Sequence, residues 1–189
     1  MTIGIWGDSI IYGEGDSEAL GWVGRLRKSQ LKNDSSLYNF GICGDTSAGL
    51  LKRFKIEAEA TNPDIIIFAV GINDSKYPND SNESLVPPKE YLTNLEELIS
   101  QARKFTNNIF IVSATKVDNE WESVRGSRFM NEVIESYNEL MRGTAEKHSI
   151  EFVDMFEVLD PASDLSDGLH PNRKGYQKMF EVIKSRIEL

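Results

Sequence analysis

Cysteine is nearly absent. Cys43 stands alone, so no internal disulfide can form; this fits a reducing compartment, and a cytoplasmic location is expected. Long apolar runs are missing as well. No stretch approaches the ~18 residues that a membrane-spanning helix requires. The chain carries no basic leader before its first apolar run, Thr2-Ile3-Gly4-Ile5-Trp6, so no export signal is expected. Positive charge is in deficit: 21 Lys and Arg face 30 Asp and Glu, a net charge of -9. Such a field repels phosphate backbones and anionic lipid heads. Nucleic acid and membrane insertion are therefore not expected. The basic cluster Arg173, Lys174, Lys178, Lys184 and Arg186 reads as the solvated face of a helix.

Several sequence signatures are also missing. There is no Gly-x-Ser-x-Gly elbow and no Gly-x-x-x-x-Gly-Lys-[Ser/Thr] loop. Gly13-Glu14-Gly15-Asp16 lacks the third glycine of a dinucleotide loop and puts acid where a pyrophosphate would sit. No paired-histidine spacing suggests zinc. Neither a metal nor another cofactor is expected.

What is present is an alternation of short apolar runs and helical stripes. Candidate strands are Thr2 to Trp6, Leu37 to Phe40, Asp64 to Val70, Asn108 to Ser113 and Glu151 to Val153. The run Ile65 to Val70 is apolar on both faces, as a strand covered by helices on both sides would be. Between the strands fall helical stripes. They are Leu20, Val23, Leu26 and Leu31; Leu50, Leu51, Phe54 and Ala58; Tyr91, Leu95, Leu98, Ile99, Ala102 and Phe105; Met130, Val133, Ile134, Tyr137, Met141 and Ala145; and Tyr176, Met179, Phe180, Ile183 and Ile187. This alternation predicts a parallel α/β sheet with helices on both faces. A single domain over residues 1–189 is expected. Ser75 to Pro88 and Thr115 to Gly126 read as long surface loops. Both follow strands, so both belong at the carboxyl edge, where open α/β sheets place ligands.

Four polar segments adjoin predicted strand ends or the last helix. They are Gly7-Asp8-Ser9; Asn39-Phe40-Gly41-Ile42-Cys43-Gly44-Asp45-Thr46; Gly71-Ile72-Asn73-Asp74; and Asp167-Gly168-Leu169-His170-Pro171. A serine hydroxyl needs an adjacent base to attack a carbonyl at neutral pH, and histidine suits that role. The sequence holds two histidines. His148 ends a helical stripe and reads as a packed or helix-end residue. His170 lies in a loop, with Asp167 three residues before it and able to reach back to the imidazole. Taken alone, that pair reads equally well as a surface turn capping the last helix. Asn73 and Gly44 fit either oxyanion donors or ordinary turn residues.

Together the four segments resemble the SGNH hydrolases, the GDSL-type lipases and esterases. They occur in that family's order from Gly7 to His170, with Ile10 where the family often has Leu. The resemblance implies a flavodoxin-like three-layer α/β/α sandwich with a central, mostly five-stranded parallel sheet. It implies a serine esterase with Ser9 as nucleophile, His170 as base and Asp167 as orienting acid. The oxyanion hole would comprise the Ser9 and Gly44 N–H groups and the Asn73 side-chain amide. Asp8 is expected to support the nucleophile turn without a chemical step. Cys43 reads as a small packing residue, with a thiol nucleophile paired to His170 as the alternative. Trp121, on a polar rim, either stacks on a sugar or aromatic leaving group or simply packs. Small-molecule esters with short acyl groups are the expected substrates. A non-catalytic binding module and an acyltransferase on the same apparatus are the competing readings. The sequence carries no signal for oligomeric state.

Overall fold

A computed structural model describes residues 1–30, 35–118, 121, 123 and 126–187. Leu31 of the first stripe, and Asn119, Glu120, Glu122, Val124 and Arg125 of the expected Thr115 to Gly126 loop, lie outside the described residues. Five strands form one sheet: β1 (Thr2–Gly7), β2 (Ser36–Gly41), β3 (Ile65–Ala69), β4 (Ile109–Val112) and β5 (Glu151–Val153). Their order is β2-β1-β3-β4-β5, and every neighbouring pair is parallel. This is the flavodoxin-like arrangement.

Side-chain alternation explains the layers. Ile65 and Ile67 of β3 join Ile3 and Ile5 of β1 in a core that includes Trp22, Leu26, Tyr176 and Ile183. Those partners lie on α2 (Gly21–Ser29) and α8 (Arg173–Arg186). The intervening Ile66 and Phe68 join Trp6 in a second core with Leu50, Phe54 and Leu98. These come from α3 (Ser47–Thr61) and α5 (Pro88–Ala102). Trp6 anchors that face: it stacks on Phe40 at 4.7 Å and meets Phe54 edge-on at 4.9 Å. The helix α6 (Asn131–His148) extends the same layer through Tyr137 and Met141, which pack with Tyr91 and Leu95 of α5. A strand buried on both faces must be apolar at every position, which is why β3 reads as an unbroken run.

Three helices of four residues were not foreseen: α1 (Ser9–Tyr12), α4 (Ile72–Ser75) and α7 (Pro161–Asp164). One turn is too short to show a period. The Ser75 to Pro88 segment is also less free than a surface loop. Ser75 closes α4 and is buried, Val86 is buried, and Pro88 opens α5. Tyr77 and Arg128 exchange backbone hydrogen bonds at 2.9 Å in each direction, tying this segment to the one that follows β4. The basic face of α8 is not wholly solvated, since Lys174 and Lys178 pair with the buried Asp164. Among the described residues no helix is long and apolar enough to cross a membrane.

Candidate active site

Because every strand runs the same way, the segments after β1, β2, β3 and β5 all emerge at one edge. The chain leaves β1 at Gly7, where a Cβ would lie 2.2 Å from the Ala69 carbonyl oxygen. Only glycine allows β1 and β3 to approach so closely here. Asp8 then caps α1, its Oδ1 accepting from the Ile10 N–H at 2.9 Å. Ser9 is thus the first residue of a helical turn. Its Oγ lies 2.9 Å from His170 Nε2.

His170 is held from its other side. Its Nδ1 is 2.8 Å from Asp167 Oδ2, while Asp167 Oδ1 accepts from the backbone N–H groups of Leu169 and His170 at 3.0 and 2.8 Å. Burial works to raise the Asp167 carboxyl, but the hydrogen bonds from the His170 ring and from both amides outweigh it and hold the group below its usual range. The cap of α8 falls to Asn172, which accepts from Lys174 and Gly175. The pair thus does not cap the last helix, and Asp167 and His170 are left to each other. A carboxylate at Nδ1 favours the tautomer protonated there, in which Nε2 faces the serine as an acceptor.

Gly44 sits at φ 79°, and an added Cβ would meet nothing within 4 Å. Its backbone therefore borders open space, in a groove of about 620 Å³ shared with Ser9, Asn73 and His170. The neighbouring Thr46 caps α3, so the cap and the open glycine coexist in one turn. Asn73 opens α4 with Ile72, is only 6% exposed, and its Nδ2 has no partner among the described residues. A buried amide donor left without an acceptor costs about 1–3 kcal/mol. Asp74, fully buried, ties this turn to α3 by accepting from the Ser47 N–H and hydroxyl, and Asn94 donates to the same hydroxyl. The Gly44 and Asn73 segments are thereby fixed to one another.

Asp8 is buried beside the nucleophile turn. Burial pushes its carboxyl up to about 7, against the opposing pull of the Ile10 N–H, with the charge of Asp74 adding to the rise. Burial likewise raises Asp74 to about 6 despite the bonds from Ser47. A carboxyl raised in the folded state stabilises it fully below the unfolded value, and that contribution is lost as pH climbs through the folded value. For Asp8 the window runs from 3.8 to about 7. Asp8→Asn keeps the acceptor for Ile10 and discards the charge. Urea unfolding is expected to show equal stabilities at pH 4 and an advantage for the variant at pH 8, of order 4 kcal/mol at most. Parallel stability curves would contradict this.

Trp121 lines the groove, but its Nε1 donates to the Asp167 carbonyl and its ring meets Phe129 at 5.4 Å. It braces the His170 loop from the groove side. Cys43 departs from expectation. It is exposed beside the groove, Sγ 3.9 Å from Glu14 Oε2, because the tight turn from Ile42 to Asp45 keeps it out of the core. Partial burial and the Glu14 charge raise its thiol, and His170 Nε2 is already engaged by Ser9. The thiol-nucleophile alternative finds no support in this arrangement. His148 closes α6 and pairs with Glu96, as a helix-end residue would. Lys76, which the sequence marks only as part of a polar rim loop, is half-buried in the groove wall and places Nζ 3.3 Å from Asn73 Oδ1. The available signal was its spacing, three residues after Asn73. Among the described residues no cluster of His, Cys, Asp and Glu could hold a metal ion.

A model of the GDSL-like lipase/acylhydrolase family matches residues 5–178. The chain belongs to this family. Its members are enzymes acting on ester bonds, which sets the binding-module reading aside. A multidomain esterase of Ruminococcus flavefaciens is 30% identical over 130 residues, covering 67% of this chain and 16% of that protein. The chain therefore spans about a sixth of that relative's length. An acetylxylan esterase of Geobacillus stearothermophilus is 26% identical over 200 residues, covering 92% of this chain and 89% of that one. The crystal structure of an acetylxylan esterase from that organism superimposes with a TM-score of 0.79 at 21% identity, covering 100% of this chain and 94% of the other. That likeness bears out the three-layer fold.

Proposed function

We propose that this GDSL-family protein is a serine esterase that cleaves short-acyl carboxylic esters through an acyl-enzyme formed on Ser9. The observation that carries the reading is the continuous chain from Ser9 Oγ to His170 Nε2 at 2.9 Å and from His170 Nδ1 to Asp167 Oδ2 at 2.8 Å. Ser9 Oγ attacks the ester carbonyl while His170 Nε2 takes its proton. Asp167 holds the ring in the correct tautomer and stabilises the imidazolium. The carbonyl oxygen, now negative, accepts from the Ser9 and Gly44 N–H groups and from Asn73 Nδ2. His170 returns the proton to the departing alcohol, then activates water to release the acid.

Short acyl groups are favoured because the groove is open and mixed in character. Glu14, Lys76, Ser123 and Ser127 interrupt the apolar surface of Trp121, Phe129 and Leu169. Among the described residues a long alkyl chain would find no continuous apolar channel there. The acetylxylan esterase relative points the same way. A cytoplasmic location accords with the free, exposed Cys43. With p-nitrophenyl esters, kcat/KM is expected to be greatest for acetate or propionate and at least about tenfold lower for octanoate, given 1–3 kcal/mol for each poorly accommodated methylene. A preference for octanoate would overturn the short-acyl assignment. Product analysis with added alcohols distinguishes hydrolysis from acyl transfer, the second use of the same apparatus.

A further inference from the structure

We propose that Lys76 is a positioning residue for the oxyanion site, its ammonium holding Asn73 Oδ1 and so leaving Nδ2 as the end of the amide free to donate. The inference rests on the reading above, in which Asn73 donates to the oxyanion. The two ends of a carboxamide are nearly equal in size, and a half-turn of the terminal torsion exchanges them. Shape alone therefore selects neither orientation, yet the two have opposite consequences. Nδ2 towards the groove offers a donor; Oδ1 towards it offers a lone pair that repels the developing charge.

Lys76 removes the degeneracy. An ammonium has three donors and no acceptor, so it tolerates the amide oxygen as a neighbour and opposes the amide nitrogen. Its Nζ lies 3.3 Å from Asn73 Oδ1. The opposite end, Nδ2, is buried and without a partner among the described residues. Among the described residues no other hydrogen bond holds the Asn73 side chain. The lysine is itself well anchored. Its carbonyl accepts from Leu85 at 2.8 Å, and the next residue, Tyr77, is bonded both ways to Arg128. Its Nζ lies 5.9 Å from the centre of the Phe129 ring.

The test compares kcat and KM for p-nitrophenyl acetate across wild type, Lys76→Met, Lys76→Arg, Lys76→Gln, Asn73→Ala and the Asn73→Ala/Lys76→Met double variant. Lys76→Met is expected to lower kcat by about tenfold to thirtyfold, part of the hundredfold to thousandfold effect of a whole donor, with KM within about twofold. Lys76→Arg, still purely a donor, should retain activity within about threefold. Lys76→Gln should fall between the two, and it carries the test should the methionine variant fail to fold. In the Asn73→Ala background the lysine change should add nothing, because no amide remains to be oriented. Wild-type kcat in Lys76→Met would overturn the proposal. So would a raised KM at constant kcat, which marks a substrate-binding lysine, or an undiminished loss in the Asn73→Ala background. Full activity of Asn73→Ala itself would instead sink the underlying oxyanion reading, and the lysine's role with it.

Discussion

Ser9→Ala is expected to lower kcat for an activated short-acyl ester by about a millionfold, with the fold intact. Removing the nucleophile of a triad typically costs that much, because the base and acid have no other hydroxyl to act on. The residual rate should come from the oxyanion donors, which the substitution leaves in place. The structural cost is small. Ser9 Oγ bonds to the imidazole of His170, a contact worth about 1 kcal/mol net. The cap of α1 belongs to Asp8 and is untouched. Thermal unfolding should thus stay within a few degrees of wild type while turnover vanishes. Wild-type turnover in this variant would refute the nucleophile assignment.

Asn73→Ala should cost a hundredfold to a thousandfold in kcat, about 3–4 kcal/mol of transition-state stabilisation. KM should change little, because the donor acts on charge that develops after binding. The same substitution separates activity from stability. It deletes a buried N–H group that has no partner among the described residues together with the oxygen that accepts from Lys76, so the two effects on stability oppose each other. The urea midpoint is expected to stay close to that of wild type. A variant that lost activity only because it unfolded would show both quantities falling together.

Much of this was legible in the chain. The five strands fall within a residue or two of where apolar runs place them, because a doubly covered parallel strand needs apolar side chains on both faces. Long stripes such as Tyr91, Leu95, Leu98 and Ala102 mark α5 because four turns give a clear period. The four polar segments converge because parallel strands deliver their following loops to one edge. What stayed hidden lies below the reach of periodicity or depends on contacts distant in sequence. The single turns α1 and α4 show no period, yet they hold Ser9 and Asn73. The Asp74 bond to Ser47 joins residues 27 positions apart. Cys43 looked like a packing residue by its type, but its position in a turn overrides that preference. Lys76 looked like any polar loop residue until the groove gave its charge a partner.

Exposure to a fluorophosphonate followed by peptide mass mapping puts the nucleophile to the most direct trial, since only an activated hydroxyl displaces fluoride from phosphorus. The covalent adduct should sit on the peptide bearing Ser9 and should disappear when His170 is replaced by alanine. An unmodified protein, or an adduct on Cys43 or on a different serine, would contradict the account.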